Sequence, residues 1–462
     1  MTPRHSYPHP RPRRATRCAA LIGALIGALI GALASMPAAA TPDTPPPPQR
    51  EALVLRQATL HPVSGPVMAN ASLLIEGGKI RAIGGADLPA PSGARSLDLG
   101  GRHVYPGFVA ADTSLGLAEI RSVNASTDVA ETGPLNPNAR SLIAFNADSE
   151  LLPVTRGGGV LTALSAPEAS PQGLIAGTSA VMQLEGWNWQ DMALTPAFAL
   201  HITLPRMRLN SALLPGAPEA RLADIRRSTE ARLKLLDEAF ESAKAYGRAR
   251  AADAIQPVDT RWEALLPVLP PAGGGTPARP VVIHADDLAQ IRFALDFAAR
   301  HGLRLILTGG ADAWRVADQL KARDVPVIID GLQRLPLRRD DPPDALFRLP
   351  ALLSAAGVRY CINNGSRDAS NTRNLPFEAA QARAYGLTDD EALKAVTLYP
   401  AQILGVDDRL GSLEVGKLAT LFVADGDPLE PATRIERVFV RGRELELVDR
   451  QTALRDKYLK RP

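Results

Sequence analysis

The sequence predicts an α/β fold in which a long run of alternating strands and helices is bracketed by two groups of short strands. Three observations carry this. Between Gly159 and Ile362, apolar runs of strand length recur between stretches of helical spacing. Ahead of that region, and again after residue 410, short alternating strands with glycine turns appear instead. With 462 residues, 45% of them hydrophobic, the chain can build one large α/β unit and a smaller module. Strands that alternate with helices argue for parallel βα units, and their count is compatible with an eight-stranded barrel.

The elements follow in order. Arg11, Arg13, Arg14 and Arg17 precede an apolar run from Ala19 to Ala34, and Ala38 to Ala40 offer a cleavage site. Residues 1–40 therefore read as a signal peptide, and the protein as exported, periplasmic or secreted, with no membrane attachment after cleavage. Residues 41–50, with Pro45 to Pro48 consecutive, form an extended linker. Ala52–Leu60 and Ala71–Ile83 alternate as strands, the second turning at Gly77-Gly78, and Arg95–Val104 reads as another. Leu418–Ala424 and Ile435–Val440 mirror them at the far end. Residues 51–105 and 410–450 thus predict one composite β domain around a unit spanning 106–409.

Within that unit the strand candidates are Gly159–Ala166, Ala197–Leu204, Pro280–His284, Arg304–Leu307, Val325–Ile329 and Val358–Ile362. Helices are expected over Ala289–His301, Ala313–Arg323 and Leu346–Ala356. Ala220–Ala252 is charged, with Leu222, Ile225, Leu233, Leu236 and Phe240 at helical spacing, and predicts a helical insertion or hairpin outside the strands. Leu335–Pro343 reads as a solvated loop. No basic stripe interleaved with aromatics occurs, which argues against nucleic acid as a partner. Cys18 would leave with the signal peptide. That leaves Cys361 alone in an apolar run, read as a buried strand residue. Gly157 to Gly159 precede a strand rather than a helix, so they do not form a phosphate loop.

The segment Tyr105-Pro-Gly-Phe-Val-Ala-Ala-Asp-Thr-Ser114 resembles the first barrel strand of the amidohydrolase superfamily, which reads Pro-Gly-Leu-Ile-Asp-x-His-x-His. Further resemblance lies at Pro280-Val-Val-Ile-His284. It continues in the tail from Leu387 through Pro400-Ala-Gln-Ile-Leu-Gly405, Leu410-Gly-Ser-Leu-Glu-Val-Gly-Lys417 and Gly426-Asp-Pro428. The chain is similar in particular to imidazolonepropionase-like exported members, over about Ala52 to Leu447. The resemblance implies a (β/α)8 TIM-type barrel plus a small β-sandwich domain formed by both termini. Ligands would bind at the C-terminal ends of the barrel strands. It also implies a metal-dependent hydrolase of carbon–nitrogen bonds, with zinc or another divalent metal as cofactor.

Position by position, the likeness thins. Asp112 and Ser114 stand where the family's two first-strand histidines would be. Asp112 reads as a substitute metal ligand or as a loop acid bonded to nearby amides. His284 matches the family's fifth-strand ligand directly. His201, in Phe198–Leu204, is a ligand or a satisfied core histidine. No histidine follows Leu305–Thr308, where the sixth strand would supply one. Asn364 falls at or near the position of the catalytic Asp. Asp368 is then the nearest acid, and Asn371 and Arg373 offer hydrogen bonds to a ligand. Asp286 or Asp287 caps the helix after His284. No lysine fits a carbamylated bridge, so one metal at most is expected, and possibly none. Two functions remain open: a hydrolase of cyclic amide-type bonds, and a non-catalytic protein that holds a small molecule or protein partner in the same pocket.

Overall fold

The structure is a computed structural model that describes residues 44–208, 219–253, 255–271, 273–366 and 368–461. Residues 1–40, for which the sequence predicts a signal peptide, lie together with Cys18 outside the described residues. In chain order the first strands are β1 (Leu53–Leu60), β2 (Met68–Glu76), β3 (Lys79–Gly85), β4 (Arg95–Asp98) and β5 (His103–Pro106). Then come β6 (Phe108–Thr113), β7 (Val160–Ser165), β8 (Ile175–Thr178), β9 (Ala180–Gln183), β10 (Ala193–Thr195) and β11 (Leu200–Thr203). β12 (Val281–Ala285), β13 (Leu305–Gly309), β14 (Val327–Asp330) and β15 (Tyr360–Asn363) follow, and β16 (Leu421–Ala424), β17 (Ile435–Val440) and β18 (Arg443–Leu445) end the series. The helices that matter here are α1 (Glu219–Ala252), α2 (Leu288–His301), α3 (Ala345–Ala356) and α4 (Leu375–Ala384).

Both ends of the chain meet in one sheet, ordered β18-β17-β16-β5-β1-β2-β3. β1 pairs β4 along its first half and β5 along its second. The expected single strand Arg95–Val104 is therefore two strands, separated by Gly100 and Gly101 at φ +54° and +85°. The β2–β3 hairpin turns at Gly77 and Gly78, both left-handed. A side chain at Gly78 would lie 2.9 Å from the Arg441 carbonyl, so this turn also needs glycine for close approach.

The central strands form the barrel. β6, β7, β11, β12, β13, β14 and β15 are joined by parallel pairings on either side of one intruder. β9 pairs antiparallel with β7, and β8 pairs antiparallel with β11. Ile175–Gln183, interrupted at Ser179, thus supplies the remaining barrel strand in the reverse direction. The sequence reading missed it because no helix intervenes between β7 and β8 to mark a new βα unit. Between β15 and β6 the backbone ladder is replaced by a neighbouring segment: the Val109 and Ile362 amides donate to the Val396 and Ala395 carbonyls.

Strand alternation divides the barrel residues into two faces. Val281, Ile283, Leu307, Val327, Ile329 and Ile362 pack outward with the helices. Val109, Leu164, Val282, Ile306, Ile328 and Cys361 fill the interior together. Cys361 is buried there as expected, and burial pushes its thiol pKa up. α2 starts at a capping box between Asp287 and Gln290 and ends at Gly302, φ +69°. α1 is one 34-residue helix, not a hairpin. It docks on α2 through Phe240 and Phe297, ring centroids 5.0 Å apart and edge-on, and Asp237 meets the buried His301 at 2.9 Å.

Candidate metal centre at the strand ends

Two residues beyond the interior apolar layer, the same face of the strands turns polar. Above Val282 comes His284, above Ile306 comes Thr308, above Ile328 comes Asp330, and above Cys361 comes Asn363. His201 on β11 completes the row. These are the C-terminal ends of the parallel strands, where barrel folds place their ligands.

Asp112 joins this row only through a backbone irregularity. Strict alternation from Val109 would turn residue 111 inward and residue 112 outward. However, β6 gains one residue on β7 between Ala110 and Thr113, which pair with Ala163 and Ser165. The bulge turns the Asp112 carboxylate into the barrel. There Thr308 Oγ1 donates to Oδ2 at 2.9 Å, and His284 Nδ1 lies 3.8 Å from the same oxygen. Gly107, in the Pro106-Gly107 pair that opens this strand, passes so close to Leu161 that a Cβ would sit 2.8 Å from it.

His201 Nδ1 and His284 Nε2 are 3.2 Å apart. Asp112, His201 and His284 are the one group of three His, Cys, Asp or Glu residues among the described residues whose donor atoms all lie within 4.8 Å of one another. Their donor set suits a divalent ion. Two nitrogens bound about 2.05 Å from a tetrahedral zinc would stand about 3.3 Å apart, close to the spacing here. His201 Nε2 is buried with no hydrogen-bond partner. Burial, then the neighbouring His284, push the His201 pKa well below its ordinary value, which favours the neutral, ligating imidazole. Burial raises the Asp112 carboxyl to about 6, with His284 and the Thr308 bond pulling down and Asp330 pushing up.

A cavity of about 670 Å³ opens over this row, and His284, Thr308 and Asp330 line its floor. Its wall is the segment after β14, including Arg334, Leu335 and Leu337. Arg334 holds Asp286 through two bonds of 2.7 Å, and Arg338 Nη1 donates to Asp312 at 2.7 Å. The expectation that Leu335–Pro343 is merely solvated is corrected on this point. Leu335 is exposed, but the arginines on either side latch the loop to acids that follow β12 and β13. Asp287, not Asp286, is the helix cap.

Other sequence candidates fall elsewhere. β15 ends at Asn363, and it is Asn363 that reaches the site. Asn364 points away and donates to Glu378 at 3.0 Å. Asp368 caps the short turn Ala369–Asn374, accepting from the Ser370 amide at 3.0 Å and hydroxyl at 2.9 Å. Asn371 and Arg373 are exposed on that turn, and Arg373 borders a separate recess with Glu119 and Asn146. Ser114 accepts from Arg121 at 3.0 Å. Thr308, Asp330 and Asn363 were not singled out from the sequence. The available signal was their place two residues after an interior apolar strand position.

Comparison with known proteins fits this geometry. A family model described as the amidohydrolase family matches residues 285–445, a stretch that begins just after His284. The imidazolonepropionase of Mesorhizobium japonicum is 32% identical over 148 residues, covering 32% of this chain and 35% of that protein. The chain thus spans about a third of that relative's length. The imidazolonepropionase of Cupriavidus necator is 26% identical over 385 residues, covering 76% of this chain and 83% of the relative. A solved amidohydrolase structure from Thermotoga maritima superposes with a TM-score of 0.73 at 22% identity, covering 85% of this chain and 99% of that one. Its likeness concerns the fold. The family match over residues 285–445 and these relatives thus support the amidohydrolase superfamily, and among its members the chain is similar to imidazolonepropionases.

Proposed function

We propose that this protein hydrolyses carbon–nitrogen bonds in small cyclic, non-peptide amides, using one divalent metal held by Asp112, His201 and His284. The observation that carries this reading is the convergence of those three donors, of which His284 lines an open cavity. A metal so placed supplies carbonyl polarisation and a more acidic water. The residues of the chain do the rest. Thr308 fixes the orientation of the Asp112 carboxylate, and the buried neighbours keep His201 neutral. The cavity suits a small molecule. The leader-like segment at residues 1–40 supports an exported location, periplasmic or secreted.

A second reading is a non-catalytic protein that keeps the cavity for ligand binding. The amide of Asn363 at the end of β15, where the resemblance calls for a catalytic acid, favours it. An amide cannot accept and return a proton as a carboxylate does. Metal analysis of the purified exported form separates the two. Zinc, iron or manganese near one per chain, lost in His284→Ala, supports the hydrolase. A metal-free protein from metal-replete medium sinks it.

A further inference from the structure

We infer that the proton-transfer carboxylate of this site is Asp330, one strand away from the position the family resemblance indicates; this rests on the hydrolase reading above. Asp330 ends β14, is buried, and lines the same cavity floor as His284 and Thr308. Among its partners, Asn363 Nδ2 donates to Oδ1 at 3.2 Å and the Ser366 hydroxyl donates to Oδ2. Asn363 is fully committed. Its Nδ2 also donates to the Asp112 carbonyl at 2.6 Å, and its Oδ1 accepts from the Asp112 amide at 3.0 Å. Asn363 is therefore a positioning residue that ties the backbone of Asp112 to the carboxylate of Asp330.

In the step assigned to it, water attacks the amide carbonyl carbon and gives one proton to the Asp330 carboxylate. The carbon–nitrogen bond then breaks, and Asp330 returns that proton to the leaving nitrogen. For a cyclic amide the product is one ring-opened molecule that carries both the new carboxylic acid and the freed N–H group (a ureido group for the probes below), and Asp330 ends as it began. General acid–base groups contribute about 10²–10⁴-fold.

The test uses the zinc-loaded full chain with hydantoin and dihydrouracil as probes. Asp330→Asn is expected to lower kcat at least about 100-fold with KM and zinc per chain unchanged. Asp330→Ala should recover about tenfold or more in added formate, which a purely structural role would not produce. Asp330→Glu, which keeps a carboxylate and serves if the Asn variant does not fold, should retain more rate than Ala. If Asp330→Asn stays within about threefold of wild type, or loses its zinc, or formate does not rescue Ala, the assignment is overturned while the hydrolase reading stands. If the wild-type chain holds no metal or turns over neither probe, both fall.

Discussion

Asn363 and Asp112 grip each other across the gap between β15 and β6. The Asp112 amide donates to Asn363 Oδ1 at 3.0 Å, and Asn363 Nδ2 donates back to the Asp112 carbonyl at 2.6 Å. This side-chain pair stands where a backbone ladder would otherwise join the two strands. Asn363→Leu should leave three buried polar partners without their bond and destabilise the fold by about 3 kcal/mol. Urea unfolding of the variant checks this; a change under about 0.5 kcal/mol would mean the pair is incidental.

Metal binding should raise thermal stability, because the three donors converge only in the folded chain. Zinc at about 100 times its dissociation constant adds about 2.7 kcal/mol. A thermal melt should move upward with zinc in the wild type and stay still in His284→Ala. His201→Ala should behave likewise, since its ring is the inner wall of the same cluster. An equal shift in all three proteins would place the zinc elsewhere.

Arg334 and Asp286 should control the cavity wall. Their paired bonds hold the loop that carries exposed Leu335. Both side chains are partly solvated, so a double-mutant cycle is expected to give a coupling of only about 1 kcal/mol. The clearer readout is limited proteolysis: Arg334→Ala should open cleavage near Leu335 at a protease level the wild type resists.

Asp312 gives a pH prediction with a definite sign. Burial alone would raise its pKa, but the Arg338 bond and charge, the Leu288 amide and Arg315 together hold it below the ordinary carboxylate range. A lowered folded pKa means its stabilisation is present in full above the unfolded value, about 3.9, and fades as pH falls through the folded one. Between about pH 5 and pH 3 the wild-type melting temperature should therefore drop more than that of Asp312→Asn. Parallel slopes would refute it.

Gly365 secures the turn after β15. Its φ is +119°, and a Cβ would lie 2.3 Å from Thr372 Oγ1 and 2.8 Å from Thr113 Oγ1. Thr113 follows directly on Asp112. Gly365→Ala should cost about 2–4 kcal/mol and lower zinc occupancy with it, as measured by calorimetry and metal analysis.

Much of this protein is legible from the sequence by itself. The order of strands and helices, the meeting of the two ends in one β sheet and the strand-end position of His284 all rest on local signals. So does the cap at Asp287, one of two adjacent acids that the sequence offered. Alternation, helical spacing and turn residues act between near neighbours, and near neighbours are what a sequence displays. The site needed more. Whether Asp112 faces inward depends on one extra residue in β6 relative to β7, which no residue of β6 announces. Whether Asn363 or Asn364 reaches the site depends on where β15 leaves its pairing with β14. His201 becomes a neighbour of His284 because two parallel strands 83 positions apart lie side by side. Asp368 was close in sequence to the site but was taken by its own turn. Those choices belong to register and to the facing strand, and only the folded chain makes them.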